Sequence, residues 1–461
     1  MKPVTSWSYA PYSPPFFEAG DPYVCRLVPG VDTLHLEWLD KDKDTYLVSW
    51  RKRGEASFTG SASVTGDSYT IKDLTEGEEY EVQVSHGDKK SRVRLARIGK
   101  AVGTVVNYLH PEDDAYRFSG RYLCSPSMVR HPDGYLLASM DLFAGQAPQN
   151  LTLIFRSDDN GESWHYVSEL FPCFWGKMFI HRGELYMLAC STEYGDLLIG
   201  KSSDGGKSFT TPTVLLRGSC KCGVAGVHKN PQPVVSYGGR LWETLEWGSW
   251  GEGYHAPMVA SIDENADLLV AESWCFTDPI KYDPQWVAGM VEGPSSGNIE
   301  GALTVLPDGK LYNVMRYDMT KCTPDFGYLL AFAVNTENPE APLKFSRPIA
   351  MPGNHSKCMI VKDEVGGYYY SIICRILDSA HKHARNLLSL MKSKDGEHWE
   401  LSMDLLDYRN ENPAEIGFQY VDLMIDGDDL IYLCRTAING AHNHHDANYS
   451  TFHRIKHFRS L

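Results

Sequence analysis

Residues 131–139 read HPDGYLLAS, an apolar run that follows a tight turn at Gly134. The same pattern returns at HRGELYMLA (181–189), YGGRLWETL (237–245), LPDGKLYNVMRY (306–317), EVGGYYYSIICR (364–375) and IDGDDLIYLCR (425–435). Apolar runs on both sides of a turn rich in Gly and Asp predict β-hairpins. The six turn glycines are 49 to 70 residues apart, a spacing that predicts an array of repeated units rather than independent domains.

A second apolar run follows each turn glycine by roughly 20 residues, which gives each unit four strands. These runs are LTLIFRS, DLLIGKS, PMVASID, LLAFAVN, LLSLMKS and YSTFHRI. Four-stranded units repeated around an axis form a β-propeller, whose last blade is commonly closed by strands from both chain ends. The sequence therefore predicts an all-β, six-bladed propeller, with a seventh blade if residues 261–297 fold as a unit of their own.

Three regions are predicted along the chain. Residues 1–20 combine five aromatics with four prolines, which predicts an extended segment lying on a neighbour. Residues 21–98 hold short alternating strands that predict a β-sandwich, and Trp38, Trp50, Leu74 and Tyr80 resemble the core positions of fibronectin type III domains. Residues 105–461 form the propeller, and the stretch from Lys100 to about Tyr122 is expected to supply its closing strand.

The composition of the chain narrows the range of functions that the protein can have. The net charge of −15 argues against nucleic acid or an anionic membrane as the partner. The amino-terminal residues lack the pattern of a secretory signal, so the sequence as written is interpreted as soluble and cytoplasmic. The cysteine count is eleven, an odd number, and cysteines within apolar strands favour reduced thiols over a disulfide framework.

A second motif follows the third strand of several units. Residues 157–164 (SDDNGESW) and 202–209 (SSDGGKSF) fit S-x-D-x-G-x-x-aromatic, and residues 393–399 (SKDGEHW) fit it with one residue fewer. Ser and Asp side chains can bond the backbone of such a turn, so the role is structural. These motifs resemble the Asp-box repeats of the sialidase superfamily, which implies that type of propeller for about residues 110–461. The first-blade Arg-Ile-Pro motif of sialidases is replaced here by Cys124-Ser-Pro126-Ser-Met, which has no arginine.

Residues 298–318 and 417–459 look more like a sialidase-like group that includes oligo-ulvan lyases and enzymes acting on rhamnosyl-glucuronate. The resemblance implies a histidine, a tyrosine and an arginine on the pocket face. His228 and Arg316 fall where the first and last are expected. Glu300 occupies the position at which the tyrosine of those lyases aligns. Hydrolysis therefore stays open as an alternative to lyase chemistry.

The repeat register predicts which side chains share one face. Arg316, Arg375 and Arg435 end equivalent second strands, and a guanidinium binds a carboxylate in a bidentate manner. An acidic sugar is therefore the expected ligand, although pairing of these arginines with acids such as Asp141 and Glu246 as structure is the alternative. The other predicted substrate contacts are Lys357, Tyr420, Trp247 and His445.

The predicted catalytic residues are His228, Glu246, Glu300 and Tyr254. Two carboxylates such as Glu246 and Glu300 can serve as acid and base, or as acid and nucleophile, of a glycosidase. A tyrosine can transfer a proton if nearby arginines lower its pKa. The pocket-face loops also offer Trp250, His255 and Arg385.

Metal binding is the less favoured alternative. Cys220, Cys222 and His228, and the run HNHHD at 442–446, have ligand types but not the spacing of a structural zinc site. No cofactor is expected. The leading hypothesis is an exo-acting glycoside hydrolase on an acidic oligosaccharide such as a uronate or a sialic acid. The alternatives are a polysaccharide lyase acting by β-elimination and a non-catalytic carbohydrate-binding propeller.

Overall fold

The computed structural model describes residue 7 and residues 21–39, 44–221, 223–353 and 356–461. The segment predicted to be extended, 1–20, therefore lies outside the described residues except for Trp7. The Trp7 side chain is fully buried, and its indole Nε1 donates a hydrogen bond to the Pro172 carbonyl at 2.8 Å. Trp7 thus packs into the propeller.

Two antiparallel sheets form the first unit of the chain. One sheet orders β1 (Val24–Pro29), β2 (Leu34–Trp38) and β5 (Ser68–Ile71). The other orders β4 (Gly60–Thr65), β3 (Thr45–Lys52), β6 (Glu79–His86) and β7 (Lys89–Lys90), with β8 (Arg94–Arg97) paired to β6. Alternate residues of β2 are buried, as Leu34, Leu36 and Trp38 show, which is the pattern of strands with one face on a core. The arrangement is a β-sandwich.

Six sheets of four or five strands follow. The first three contain β10 (Tyr122–Arg130), β11 (Leu136–Phe143), β12 (Thr152–Ser157) and β13 (His165–Leu170); β14 (Phe174–His181), β15 (Glu184–Cys190), β16 (Leu197–Ser202) and β17 (Thr213–Leu216); β18 (Gly226–His228), β20 (Arg240–Ser249), β21 (Tyr254–Asp263) and β22 (Trp274–Phe276), with β19 (Val235–Tyr237) on β20. The last three contain β23 (Asn298–Val305), β24 (Leu311–Tyr317), β25 (Tyr328–Ala333) and β26 (Lys344–Ala350); β27 (Ile360–Asp363), β28 (Tyr368–Cys374), β29 (Leu387–Ser393) and β30 (Glu400–Asp407); β31 (Gly417–Asp426), β32 (Asp429–Ala437), β33 (Tyr449–Ile455) and β9 (Thr104–Tyr108).

These sheets are the blades of a β-propeller, and β9 closes the last blade by pairing with β33. The closing strand comes from the stretch expected to supply it. Residues 261–297 add β22 to the third blade and form two short 3₁₀ turns, Ala271–Ser273 and Pro284–Val287. Two further 3₁₀ turns are Ser379–His381 and Phe458–Ser460. The middle strands are continuously buried, as in β15, because each blade packs between two neighbours.

The inner strands of four blades carry an irregularity at one equivalent place. The pairing register shifts between Cys124 and Ser127 in β10, with matching shifts in β14, β23 and β31. At each shift one non-glycine residue has a positive φ between 50° and 58°: Ser125, Trp175, Glu300 and Tyr420. A β-bulge of this type re-aims a side chain. Two of the four re-aimed residues, Glu300 and Tyr420, are candidates for the site.

The S-x-D-x-G turns bond their own backbone. Asp159 Oδ1 accepts hydrogen bonds from the Ser163 amide and the Ser157 hydroxyl, both at 2.8 Å, and Ser157 Oγ accepts from the Gly161 amide at 2.7 Å. Asp204 and Asp395 make the corresponding contacts in their own turns. The role of this motif is therefore to fix the turn after the third strand.

Candidate functional site

Tyr420 lies at the centre of the candidate site. Its hydroxyl accepts a hydrogen bond from Arg316 Nη1 at 3.2 Å, and the same Nη1 donates to Glu300 Oε2 at 2.7 Å. Burial and the Glu300 carboxylate raise the pKa of Tyr420, and the opposing effect of the nearby arginines does not overcome them. The arginines lower the pKa of Tyr420, but the net shift is upward. The condition set for proton transfer by this tyrosine, a pKa lowered by arginines, is therefore not met, and Tyr420 carries its proton at neutral pH.

Three guanidinium groups surround the Tyr420 ring. Arg435 and Arg385 lie 5.2 Å and 5.8 Å from the ring centroid, and Arg316 contacts the hydroxyl. Two of the arginines predicted from the repeat register, Arg316 and Arg435, thus come together. Such a concentration of positive charge is favourable only with an anion nearby. The site is suited to a carboxylate ligand.

Arg375 is not part of this group. Its guanidinium Nη2 donates to both carboxylate oxygens of Asp404 on the outer strand β30, at 2.7 and 2.8 Å, and its Nε donates to Ser389 Oγ at 3.1 Å. These contacts direct the side chain along the blade and away from Tyr420. Arg385, from the loop between β28 and β29, supplies the third guanidinium group beside Tyr420.

Glu300 is buried beside Arg316. Burial raises the pKa of the Glu300 carboxyl, but the charge and hydrogen bond of Arg316, together with His228 and Tyr420, outweigh it, so the pKa is lowered. Glu300 is therefore ionised at neutral pH. The Glu300 carboxylate and the Tyr420 hydroxyl both contact Arg316 Nη1, which places the carboxylate beside the phenol as a candidate base.

His228 forms a second dyad with Glu246. His228 Nδ1 lies 2.6 Å from Glu246 Oε2, and the other Glu246 oxygen accepts a hydrogen bond from the Gly301 amide at 3.3 Å. Glu246 is fully buried, so it orients His228 rather than touching a ligand. The predicted pairing of Glu246 with Glu300 as two facing carboxylates is therefore replaced by two separate dyads, His228–Glu246 and Tyr420–Glu300.

Other predicted site residues lie elsewhere. Tyr254 packs with Lys281, whose Nζ lies 4.7 Å from the ring centroid, because alternation along β21 turns the neighbouring His255 inward instead. Trp247 packs against the hydrophobic core shared by the second and third blades. Lys357 is buried and donates to the Pro231 carbonyl at 2.7 Å. Burial lowers the pKa of Lys357 to about 8.

His445 belongs to the arginine side of the pocket. The Arg435 Nη2 donates to the His445 carbonyl at 2.5 Å, and His445 Nδ1 lies 2.8 Å from Asp446 Oδ1. Burial and the Arg435 charge lower the pKa of His445 to about 4 despite Asp446. His445 therefore presents a neutral ring at the edge of the site.

The described side chains that were considered as metal ligands do not come together in the structure. Within the described ranges, no three His, Cys, Asp or Glu side chains are grouped to hold a metal ion. Cys220 is exposed, Cys222 lies outside the described residues, and His228 is engaged by Glu246. The ten cysteines in the described part of the chain are free thiols. No described helix is long and apolar enough to cross a membrane.

Comparison of the structure with solved structures identifies its fold. No family model matches the chain, and no curated protein matches it. An α-L-arabinofuranosidase of Fusarium graminearum, solved with an iminosugar inhibitor, is 13% identical over 78% of this chain and 98% of its own, with a TM-score of 0.50. The sialidase of Trypanosoma rangeli, solved as a covalent intermediate with 2,3-difluorosialic acid, is 14% identical over 77% of this chain and 58% of its own, with a TM-score of 0.50.

These similarities confirm the β-propeller fold. An ulvan lyase bound to a glucuronate–rhamnose sulfate unit covers 95% of this chain at 11% identity, with a TM-score of 0.42.

Proposed function

We propose that the chain is an exo-acting glycoside hydrolase that cleaves an acidic oligosaccharide, with a uronate or sialic acid-like carboxylate held by Arg316, Arg385 and Arg435. One observation carries the proposal: three guanidinium groups surround a half-buried tyrosine that shares Arg316 with a carboxylate. Arg316 is already paired with Glu300, so the other two arginines supply most of the charge for a ligand. Guanidinium groups match the geometry of a carboxylate.

The two dyads supply the chemistry of hydrolysis. Sialidases use a tyrosine nucleophile among glycosidases, and Tyr420 with Glu300 as its base fits that role. As the Tyr420 oxygen bonds to the anomeric carbon, its proton passes to Glu300 and the bond to the leaving oxygen breaks. His228, oriented by Glu246, is the candidate donor of a proton to that oxygen. Water then attacks the anomeric carbon and gives a proton to His228, while the bond from that carbon to the Tyr420 oxygen breaks and Glu300 returns its proton to Tyr420, which frees the sugar.

β-Elimination is a second candidate, favoured by the position of His228. In that reaction His228 removes the proton α to a uronate carboxylate, an arginine neutralises the carboxylate, and the bond to the leaving oxygen breaks to form a carbon–carbon double bond. Tyr420 would return a proton to the leaving oxygen. The same residues thus serve a different order of steps.

Product analysis separates these mechanisms. The wild type is incubated with uronic-acid and sialic-acid oligosaccharides in ¹⁸O-labelled water. Hydrolysis gives a saturated sugar that carries the label, whereas elimination gives an unsaturated product that absorbs ultraviolet light. For the hydrolase, Tyr420→Phe and Glu300→Gln should abolish turnover while oligosaccharide binding remains.

The pattern of variants also identifies the alternatives. Loss of activity in His228→Ala with activity retained in Glu300→Gln would contradict the hydrolase and support the lyase. Oligosaccharides that bind the wild type but are never altered would contradict both enzymes and leave a carbohydrate-binding propeller.

A further inference from the structure

Trp175, the bulge residue of the second blade, takes no part in the proposed steps. It follows Phe174 in β14, at the point where the pairing register with β15 shifts, and its φ is 55°. Its side chain is half-buried, and its indole lies 4.3 Å from the His228 ring, centroid to centroid, with the planes at 58°. The bulge therefore places an indole directly against the imidazole that both proposed mechanisms use.

Two buried charged side chains hold the backbone of Trp175 in this conformation. The Trp175 amide donates a hydrogen bond to Asp141 Oδ2 at 2.6 Å, and the Trp175 carbonyl accepts one from Lys229 Nζ at 2.9 Å. Asp141 and Lys229 are both fully buried, and Lys229 Nζ also lies 3.3 Å from Glu243 Oε1. A non-glycine residue keeps a positive φ only where its surroundings impose it. The position of the indole is thus set by contacts from neighbouring strands.

The His228 ring requires support beyond its hydrogen bond to Glu246. That bond engages Nδ1 at 2.6 Å, so Nε2 is the nitrogen that can meet a substrate atom. A ring held at one atom can still pivot about that contact, and packing against its sides removes this freedom. The rings of Tyr194 and His255 lie 6.0 and 5.1 Å from the His228 centroid, and Trp175 lies nearer than either. Trp175 is therefore well placed to fix the direction of Nε2.

We propose that Trp175 is the positioning residue that directs His228 Nε2 toward the substrate, and that Asp141 in turn holds Trp175 through its backbone amide. The inference rests on the proposed function, because His228 transfers the proton there, as the acid in hydrolysis or as the base in elimination. Proton transfer depends steeply on placement, and a displacement of about 1 Å can cost about 100-fold in rate. Trp175 acts through His228 and does not itself contact the reacting atoms.

Steady-state kinetics of Trp175 variants test the positioning role. Because glycine adopts a positive φ without strain, Trp175→Gly keeps the bulge and removes only the indole. On the uronic-acid or sialic-acid oligosaccharide that the wild type converts, this variant should lose about tenfold or more in kcat, with KM within about twofold. Trp175→Phe retains an aromatic ring and should recover most of the loss. The matched control is Trp286→Gly, which removes a half-buried indole stacked on Phe345 of the outer strand β26 at 5.1 Å and should change neither constant.

Proton NMR of the His228 ring tests the same chain of contacts without a substrate. The ring current of the indole shifts the resonances of the carbon-bound His228 protons, which are assigned by their loss in His228→Gln. Asp141→Ala removes the acceptor of the Trp175 amide and should move these resonances, as Trp175→Gly does. Asp141→Asn keeps an oxygen acceptor for that amide and should leave them in place. Trp175→Leu, which keeps an apolar side chain without a ring, gives the same readout if Trp175→Gly does not fold.

The possible outcomes separate this inference from the proposed function. A lowered kcat with KM held, restored by Trp175→Phe, supports the positioning role. An unchanged kcat in Trp175→Gly, or a rise in KM alone, would overturn it, since the second result is that of a substrate contact. Unmoved His228 resonances in Asp141→Ala would refute the role of Asp141. If the wild type converts none of the oligosaccharides, the proposed function fails, and unmoved His228 resonances in the Trp175 variants would then overturn the positioning role as well.

Discussion

Tyr420 adopts a backbone conformation that a tyrosine rarely takes. Its φ is 53°, and that of Glu300 is 58°, and non-glycine residues held in this region cost about 1–3 kcal/mol each. The contacts of Tyr420 with the three arginines, and of Glu300 with Arg316, offset part of that cost. Two of the four strained bulge residues, Glu300 and Tyr420, thus meet in one pocket.

The positions of Arg316 and Arg375 can be tested by single substitutions. Arg316→Ala should weaken binding of a uronate ligand by more than about 1.5 kcal/mol, because it removes a charged hydrogen-bond donor and leaves Glu300 without its partner. Arg375→Ala is the matched comparison, since its guanidinium is engaged by Asp404, and it should leave the affinity unchanged. Titration calorimetry of both variants with glucuronic acid provides the measurement. Similar losses in the two variants would contradict the placement of Arg375 outside the site.

The repeat register predicted two of the three pocket arginines, Arg316 and Arg435, and its wrong third member, Arg375, shows where such prediction stops. Arg385 was a candidate only as a residue of a pocket-face loop. Arg316, Arg375 and Arg435 end equivalent strands, so the repeat register treats them alike. In the fifth blade the inner strand β27 starts only at Ile360, and among the residues that the structure describes it is Gly353 that forms a bridge with Arg375. The Arg375 guanidinium instead donates a hydrogen bond to Asp404 on the outer strand. Neither the late start nor the position of Asp404 is readable from the hairpin pattern.

At the scale of strands, one bulge repeated in four blades builds much of the site. In the antiparallel ladders, Ile299 pairs with Arg316 and Gln419 pairs with Arg435, and the bulged residue follows the first of each pair. Each bulge thus sets a re-aimed side chain beside an arginine. The sequence does not reveal this feature, because the bulged positions hold Ser, Trp, Glu and Tyr rather than glycine.

An ion pair joins three neighbouring blades just after the bulges of their inner strands. Lys177 Nζ of β14 lies 2.6 Å from Asp422 Oδ2 of β31, and the same oxygen accepts a hydrogen bond from the Met128 amide of β10 at 2.5 Å. Both side chains are buried, with 7% and 2% of their surface exposed. The pair therefore links the second and sixth blades through the first.

Breaking this pair from one side should be costly. Lys177→Met leaves the Asp422 carboxylate buried without its cation, so unfolding free energy should fall by about 3–5 kcal/mol. In the double variant Lys177→Met with Asp422→Asn, the buried charge is absent and the Met128 amide keeps an acceptor, so stability should recover in part. Urea unfolding of wild type, both single variants and the double variant gives the coupling energy. A double variant as unstable as the sum of the singles would contradict the link.

At the scale of the whole molecule, the sandwich and the last blade share a core. Ile438 and Tyr449 of the last blade and Tyr108 of its closing strand pack in one cluster with Trp38 and Val48 of the sandwich. The hairpin repeats predicted the propeller and the alternating strands predicted the sandwich, since both patterns are local. The shared core was not predictable, because Tyr108 and Tyr449 look like ordinary blade residues in the sequence. Docking of the sandwich therefore supports the strand that closes the propeller.

A buried acid lies at a second contact between these units. Glu169 of β13 in the first blade accepts hydrogen bonds at Oε2 from Tyr23 of the sandwich region at 3.0 Å and from Tyr166 at 3.2 Å. Its other oxygen has no hydrogen-bond partner among the described residues. Burial raises the pKa of Glu169 to about 7, against the lowering effect of the two tyrosine hydrogen bonds.

The sign of the pH effect follows from this shift. The unfolded chain releases the Glu169 proton near pH 4.3, whereas the folded protein holds it until about pH 7, so folding is progressively disfavoured as pH rises between these values. Glu169→Gln removes that penalty and should match the wild type at about pH 4.5 and exceed its unfolding free energy by up to about 3 kcal/mol at pH 8. Urea unfolding at the two pH values, with Glu400→Gln at an exposed position as the control, measures the difference. A stability difference that is the same at both pH values would show that Glu169 is already ionised in the folded protein and does not couple docking of the sandwich to pH.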